Sequence, residues 1–233
     1  SNLAIGTMNY GKGDANQPLF SLGVKEAKRN IDLCIDEGIN LIDTSDGYAK
    51  GASEEILGDA IKDKREDLLI ASKVWNPMGE GPNDIGLSRY HIISACEASL
   101  KRLQTDRIDV YLAHKWDGMT PIEEIVEAFD SLIRTGKVRY IGCSNFSGWH
   151  LMKSLSAADR ANRERFVCQQ IHYSLQSREA ENELIPIGIS ENIGTLVWSP
   201  LAGGLLTGKY KRGEAGPEGS RHFERKWKNP PIY

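Results

Sequence analysis

The chain alternates between short, continuous apolar runs and longer stretches in which apolar positions recur every three or four residues. The runs fall at residues 3–8, 40–43, 68–74, 108–114, 138–144, 167–172 and 195–199. Continuous rather than alternating apolarity predicts parallel strands covered on both faces. Each run is separated from the next by enough chain for a crossover helix. The helical stretches carry start and stop signals. Ser88 is placed to cap a helix reaching Leu103, with Ile92, Ala95, Cys96, Ser99, Leu100 and Leu103 on one face. Thr120-Pro121-Ile122-Glu123 reads as a capping box with proline at the first helical position, heading a helix through Arg134 that Gly136 ends. Helices are also predicted over 24–37, closed by Gly38, and over 53–62 and 178–191.

Seven strands with intervening helices predict a (β/α)8 TIM-barrel type of α/β fold with seven of its strands visible; a doubly wound sheet is the competitor. After Tyr210 the chain turns polar, and the segments 76–86 and 213–219 read as loops. The whole of 1–233 is read as a single domain. Its 233 residues approach the roughly 250 of one α/β barrel.

Composition narrows the function classes. Hydrophobic residues make up 40% and charged residues 26%, which suits a folded core. Twenty-nine basic against 32 acidic residues give a net charge of −3 without a basic block, so no nucleic-acid footprint is expected. No apolar run approaches the roughly 20 residues of a membrane span, so no membrane contact is expected either. Cys34, Cys96, Cys143 and Cys168 are scattered, which suits free thiols in a reducing, cytoplasmic setting. The five histidines lack metal-binding spacing, and no metal is expected.

In a barrel, chemistry gathers at the carboxyl ends of the strands. Strand two ends in Asp43, followed by Thr44, Ser45 and Tyr48; strand three carries Lys73 near its end; strand four ends in His114. Singly, these read as a turn former, a surface tyrosine, a snorkelling lysine and a core histidine. Together they converge on one rim. A phenol near pKa 10 is a poor acid at neutral pH. A nearby ammonium lowers that value, and a carboxylate keeps the ammonium charged and in place. Such a tyrosine can protonate a carbonyl oxygen while a neighbouring histidine orients it. The missing electron donor would be a hydride cofactor.

Some near matches fail. Gly203–Tyr210 approaches a P-loop, but Tyr210 stands where a hydroxyl should meet Mg²⁺. Gly142–Phe146 fails the nucleophile elbow at Phe146. No G-x-G-x-x-G follows the first strand. Cys143 reads as a buried structural thiol.

Five stretches, in order along the chain, resemble the aldo-keto reductase superfamily. They are residues 38–48 (Gly-Ile-Asn-Leu-Ile-Asp-Thr-Ser-Asp-Gly-Tyr), 71–74 (Ala-Ser-Lys-Val), 107–114 (Arg-Ile-Asp-Val-Tyr-Leu-Ala-His), 136–146 (Gly-Lys-Val-Arg-Tyr-Ile-Gly-Cys-Ser-Asn-Phe) and 198–206 (Trp-Ser-Pro-Leu-Ala-Gly-Gly-Leu-Leu). The wording is similar to bacterial aldehyde-reducing branches and to the potassium-channel β-subunit branch. The resemblance implies a (β/α)8 barrel that reduces aldehydes or ketones with NADP(H), NAD(H) being the alternative. It implies Tyr48 as general acid and base, Lys73 and Asp43 as its assistants, and His114 as the group that orients the carbonyl. Ser144, Asn145 and Gln170 match positions that hold the nicotinamide carboxamide, with Asp43 beside them. Trp198 matches the ring that stacks on the nicotinamide; many relatives have tyrosine there. Ser199, Pro200, Leu201, Gly203 and Lys209 match the segment along the pyrophosphate. Trp75 and Trp116 are read either as pocket walls or as rim packing. Partner binding with little turnover, as in the channel branch, is the competing function, and His114 favours the enzyme.

The resemblance also implies a helix, an eighth strand and a last helix after the seventh strand, where the adenosine and its 2′-phosphate are clamped. The chain is therefore read as an incomplete portion of a barrel. Its first and seventh strands would be unpaired edges open to homo-oligomer contacts.

Overall fold

A computed structural model describes residues 1–11, 21–211, 216–218 and 220. Seven strands and six α-helices alternate: β1 (Ala4–Gly6), α1 (Val24–Asp36), β2 (Leu41–Asp43), α2 (Ala52–Ile61), β3 (Leu69–Val74), α3 (Arg89–Leu103), β4 (Ile108–Ala113), α4 (Ile122–Arg134), β5 (Val138–Ser144), α5 (Gly148–Ala161), β6 (Cys168–His172), α6 (Leu184–Ser190) and β7 (Gly194–Trp198). All pairings are parallel, and the strands lie side by side in chain order from β1 to β7. A doubly wound sheet reverses its strand order part-way, so that alternative is excluded. This is the sequential winding of a (β/α) barrel, with β1 and β7 as the sheet's edges among the described residues.

The sheet curls strongly. Gln170 on β6 donates from Nε2 to Asp43 Oδ1 on β2 at 2.7 Å, although three strands separate them in the sheet. Residues two apart share a strand face. Lys73 therefore points into the curve, where it meets Asp43, and Ser72 points out to the helices, where it donates to Glu54 of α2 at 2.6 Å. Between sheet and helices lies one apolar core that includes Ile31, Leu57, Ile70, Ile92, Tyr111, Phe129, Ile141 and Leu155.

Local signals explain most of the elements. Ser88 caps α3 by accepting from His91 N–H at 3.2 Å, as expected. Gly136 takes φ +76° after α4, the left-handed turn that glycine accepts without strain. The capping box at Thr120 is a correction. Pro121 is the N-cap of α4, with no side-chain cap, because Thr120 Oγ1 donates to Asp117 Oδ2 at 2.8 Å instead. The single helix expected over 178–191 is a second correction. A short 3-10 turn (Glu179–Glu181) precedes a separate α6, which starts at Leu184. Pro186 accounts for this start: within the first turn its missing N–H costs nothing, whereas deeper in a longer helix it would remove a hydrogen bond. The loop expected at 213–219 falls largely outside the described residues.

The two ends of the sheet differ in chemistry. At the amino ends Asp109 accepts from Arg65 Nη2 at 2.7 Å and from Ile70 N–H at 2.8 Å, an ion pair that ties β3 to β4. The carboxyl ends hold the residues that the sequence marked for catalysis.

Candidate active site

Beyond Asp43 the chain bends through Thr44–Gly47 into a 3-10 turn (Tyr48–Gly51). Ala49 and Lys50 adopt φ +48° and +52° there, a conformation that L side chains seldom take. The turn carries Tyr48 back over β3. Lys73 Nζ, fully buried, lies 2.7 Å from Asp43 Oδ2, 2.7 Å from the Thr44 carbonyl and 3.2 Å from Tyr48 Oη. An ammonium has three N–H bonds, and each has an acceptor here. Because Tyr48 Oη accepts from Lys73, its own hydrogen is left for another oxygen.

Electrostatics refine the expectation for Tyr48. Burial raises the phenol above its usual pKa and outweighs the lowering by Lys73, so the net shift is upward rather than downward. The phenol is thus held protonated, as a proton donor must be. For Lys73, burial pushes the pKa down, but Asp43 and Tyr48 outweigh it and the ammonium is favoured.

His114 stands edge-on to Tyr48, with ring centroids 5.9 Å apart and planes at 80°. Burial, then Lys73 and Lys115, push its pKa down to about 3, so the imidazole is neutral. Its Nδ1 lies 2.9 Å from Asn76 Nδ2 and 3.1 Å from Ser45 Oγ. With the Asn76 amide assigned as donor, Nδ1 is the acceptor and Nε2 carries the hydrogen. Sequence reasoning missed Asn76 and the role of Ser45. The available signals were a polar residue three positions after Lys73 and a hydroxyl two after Asp43.

The residues matched to cofactor binding also gather at this rim. Asn145, at φ +56°, joins three strand ends: Nδ2 donates to the His114 carbonyl and to Ser144 Oγ, each at 3.0 Å, and Oδ1 accepts from Trp198 Nε1 at 3.1 Å. Gln170 is tied to Asp43 as described. Trp198 is partly exposed and stacks on His172 at 4.2 Å and 13°. After Pro200 and Leu201, both exposed, the chain passes through left-handed residues: Ala202, Gly203, Gly204 and Gly208 follow Ser199 in having positive φ. Lys209 packs on this loop, and a Cβ on Gly204 would sit 3.1 Å from its Nζ. A glycine-rich backbone beside an ammonium suits a phosphate-bearing cofactor.

Trp75 and Trp116 are both half-buried, in different settings. Lys115 Nζ lies 4.7 Å over the Trp75 ring. Trp116 stacks on His150 at 4.0 Å and meets Phe146 edge-on at 5.3 Å, within an aromatic cluster at the start of α5. A groove of about 600 Å³ runs beside β5 and β6, lined by Asn145, His172, Ser177, Glu179 and Glu183 among others. None of Asp43, Tyr48, Lys73 or His114 lines it. Among the described residues no cluster of histidine, cysteine and carboxylate side chains could hold a metal ion, and no helix is long and apolar enough to cross a membrane.

Residues 2–229 match the Aldo/keto reductase family. The chain belongs to the aldo/keto reductase family. It is 43% identical over 227 residues to an uncharacterized oxidoreductase, YrpG, of Bacillus subtilis (strain 168); the match covers 93% of this chain and 67% of that protein. It is 41% identical over 236 residues to a probable voltage-gated potassium channel subunit beta of Arabidopsis thaliana, covering 98% of this chain and 70% of the relative. A rice (Oryza sativa subsp. japonica) protein described in the same words is 39% identical over 236 residues, with the same coverage. The aldo/keto reductase therefore has both an oxidoreductase and channel subunits among its relatives.

Proposed function

We propose that this aldo/keto reductase transfers hydride from NADPH to the carbonyl carbon of a small aldehyde or ketone, with Tyr48 as the proton donor. The observation that carries this reading is the buried Lys73 ammonium, held between Asp43 and Tyr48 with every N–H bond satisfied.

The nicotinamide, when bound, supplies the hydride. Ser144, Asn145 and Gln170 are the groups that would face its carboxamide, and Trp198 offers a ring for stacking. Ser199, Pro200, Leu201, Gly203 and Lys209 would follow the pyrophosphate. On the substrate side, His114 Nε2–H and the Tyr48 hydroxyl both point donors at the carbonyl oxygen. As charge develops on that oxygen, the Tyr48 proton moves to it. The phenolate left behind is stabilised by Lys73, 3.2 Å away, and Asp43 keeps the ammonium in place. Four free cysteines suit a reducing, cytoplasmic setting.

The plant relatives support a second reading, a cofactor-binding regulatory protein with little turnover. Titration with NADPH and NADH by fluorescence quenching, followed by an aldehyde and ketone panel monitored through NADPH oxidation, separates the two. Reduction of at least one carbonyl is expected. Cofactor binding without turnover across the panel would favour the regulatory reading.

A further inference from the structure

Behind His114 lies a carboxyl group that the proposed reaction does not use. Asp46 is completely buried. Its Oδ1 lies 3.1 Å from Ser45 Oγ, and Ser45 Oγ lies 3.1 Å from His114 Nδ1. Its Oδ2 has no hydrogen-bond partner among the described residues. Ser45 Oγ also accepts from Gly47 N–H at 3.2 Å. A hydroxyl has one hydrogen to give and two lone pairs to fill. If Asp46 is protonated, all three are used: Gly47 and Asp46 donate to Ser45, and Ser45 donates to His114 Nδ1. If Asp46 is ionised, Ser45 must donate to Asp46, and its lone pair then faces the lone pair of Nδ1.

We propose that Asp46 and Ser45 are positioning residues for His114, a hydrogen-bond relay that keeps Nδ1 an acceptor and so keeps Nε2–H the donor aimed at the substrate carbonyl. This rests on the reductase reading given above. Ionisation of Asp46 reverses the Ser45 arm and leaves the Asn76 amide as the one donor to Nδ1, so the tautomer with hydrogen on Nδ1, which removes the donor from Nε2, gains population.

The surroundings suit a carboxyl that stays protonated. Asp46 faces Glu54 on α2, Arg102 on α3, Tyr111 on β4 and Tyr48 on the 3-10 turn. Arg102 is paired with Glu54 at 2.7 Å. Burial and then Glu54 push the carboxyl up to about 7, against weaker opposition from Ser45, Gly47 and Arg102. His114 is neutral throughout that range, so only its tautomer changes there.

The test is ¹⁵N NMR of the imidazole in the whole chain, with the pH profile of kcat/KM measured alongside. In the wild type the His114 tautomer should shift from Nε2–H toward Nδ1–H as pH rises through about 7, and kcat/KM should fall over the same interval. Asp46→Asn, whose amide donates to Ser45 at every pH, should hold Nε2–H and flatten the profile. Ser45→Ala, should Asp46→Asn fail to fold, should also lose the pH response. A wild-type tautomer that ignores pH, or an unchanged response in either variant, overturns the relay. The NMR reading needs no turnover. If no carbonyl is reduced but the tautomer follows Asp46, the reductase reading falls and the relay stands; if turnover is present and the tautomer ignores both substitutions, only the relay falls.

Discussion

The rings of His172 and Trp198 lie face to face, 4.2 Å between centroids and 13° from parallel, on the two last strands of the sheet. One face of the indole is thereby covered, and its Nε1–H is held by Asn145. Only the other face is left for a ligand, already fixed in orientation. Aromatic contacts of this kind contribute about 0.5–1.5 kcal/mol beyond area. Trp198→Ala should therefore weaken NADPH binding by roughly 3- to 10-fold or more. Fluorescence titration reads the change, and an unaltered Kd would remove Trp198 from the cofactor site.

Tyr48→Phe keeps the ring that meets His114 edge-on and deletes only the hydroxyl that accepts from Lys73. General acid catalysis is typically worth about 10²–10⁴-fold, so kcat should fall by that order while cofactor affinity is retained. Undiminished turnover in steady-state assays would take the proton donor's role away from Tyr48.

Gly47→Ala tests the support of His114 from a distance. A Cβ there would lie only 2.4 Å from Asn76 Nδ2, the atom that donates to His114 Nδ1. Asn76 must move, and misplacing an orienting group can cost about 10²-fold in rate. A drop in kcat/KM toward that size is expected with an unchanged circular-dichroism spectrum; full activity would show that Asn76 is dispensable.

Half-buried His114 and buried Asp46 should make opposite contributions to acid stability. His114 is depressed from 6.5 to about 3. Between those values the unfolded chain holds a proton that the folded one lacks, so stability rises with pH. Asp46 is raised from 3.8 to about 7. Between those values the folded chain holds the extra proton, so stability falls as pH rises. Over the shared interval from 3.8 to 6.5 the two largely cancel. Urea unfolding should expose each in turn. Asp46→Asn should give stability that climbs more steeply with pH than the wild type, and His114→Gln a curve that climbs less or declines. Parallel curves for all three proteins would contradict the assigned burial.

Much of this was readable from residue order alone, and the physics explains where it was not. Parallel strands declare themselves through continuous apolar runs, and β5 begins at Val138 and ends at Ser144, matching one of them. Asp43, Tyr48, Lys73 and His114 could be grouped because a barrel sends strand ends to one rim. The capping box at Thr120 misled because Asp117, a residue outside the motif, captures the hydroxyl. Lys73 does lower the Tyr48 phenol, but burial outweighs it, and spacing along the chain cannot weigh burial. Asn76 and Asp46 went unread for a related reason: each acts on His114 across the fold, and nothing in their spacing along the chain announces it.

The hydrogen bond from Gln170 to Asp43 acts as a chord across the bend of the sheet. One end of that carboxylate is held by β6 and the other by Lys73, so the shape of the sheet and the charge beside Tyr48 are mechanically one variable. The arc between β2 and β6 and the ion pair beside Tyr48 thus share one carboxylate.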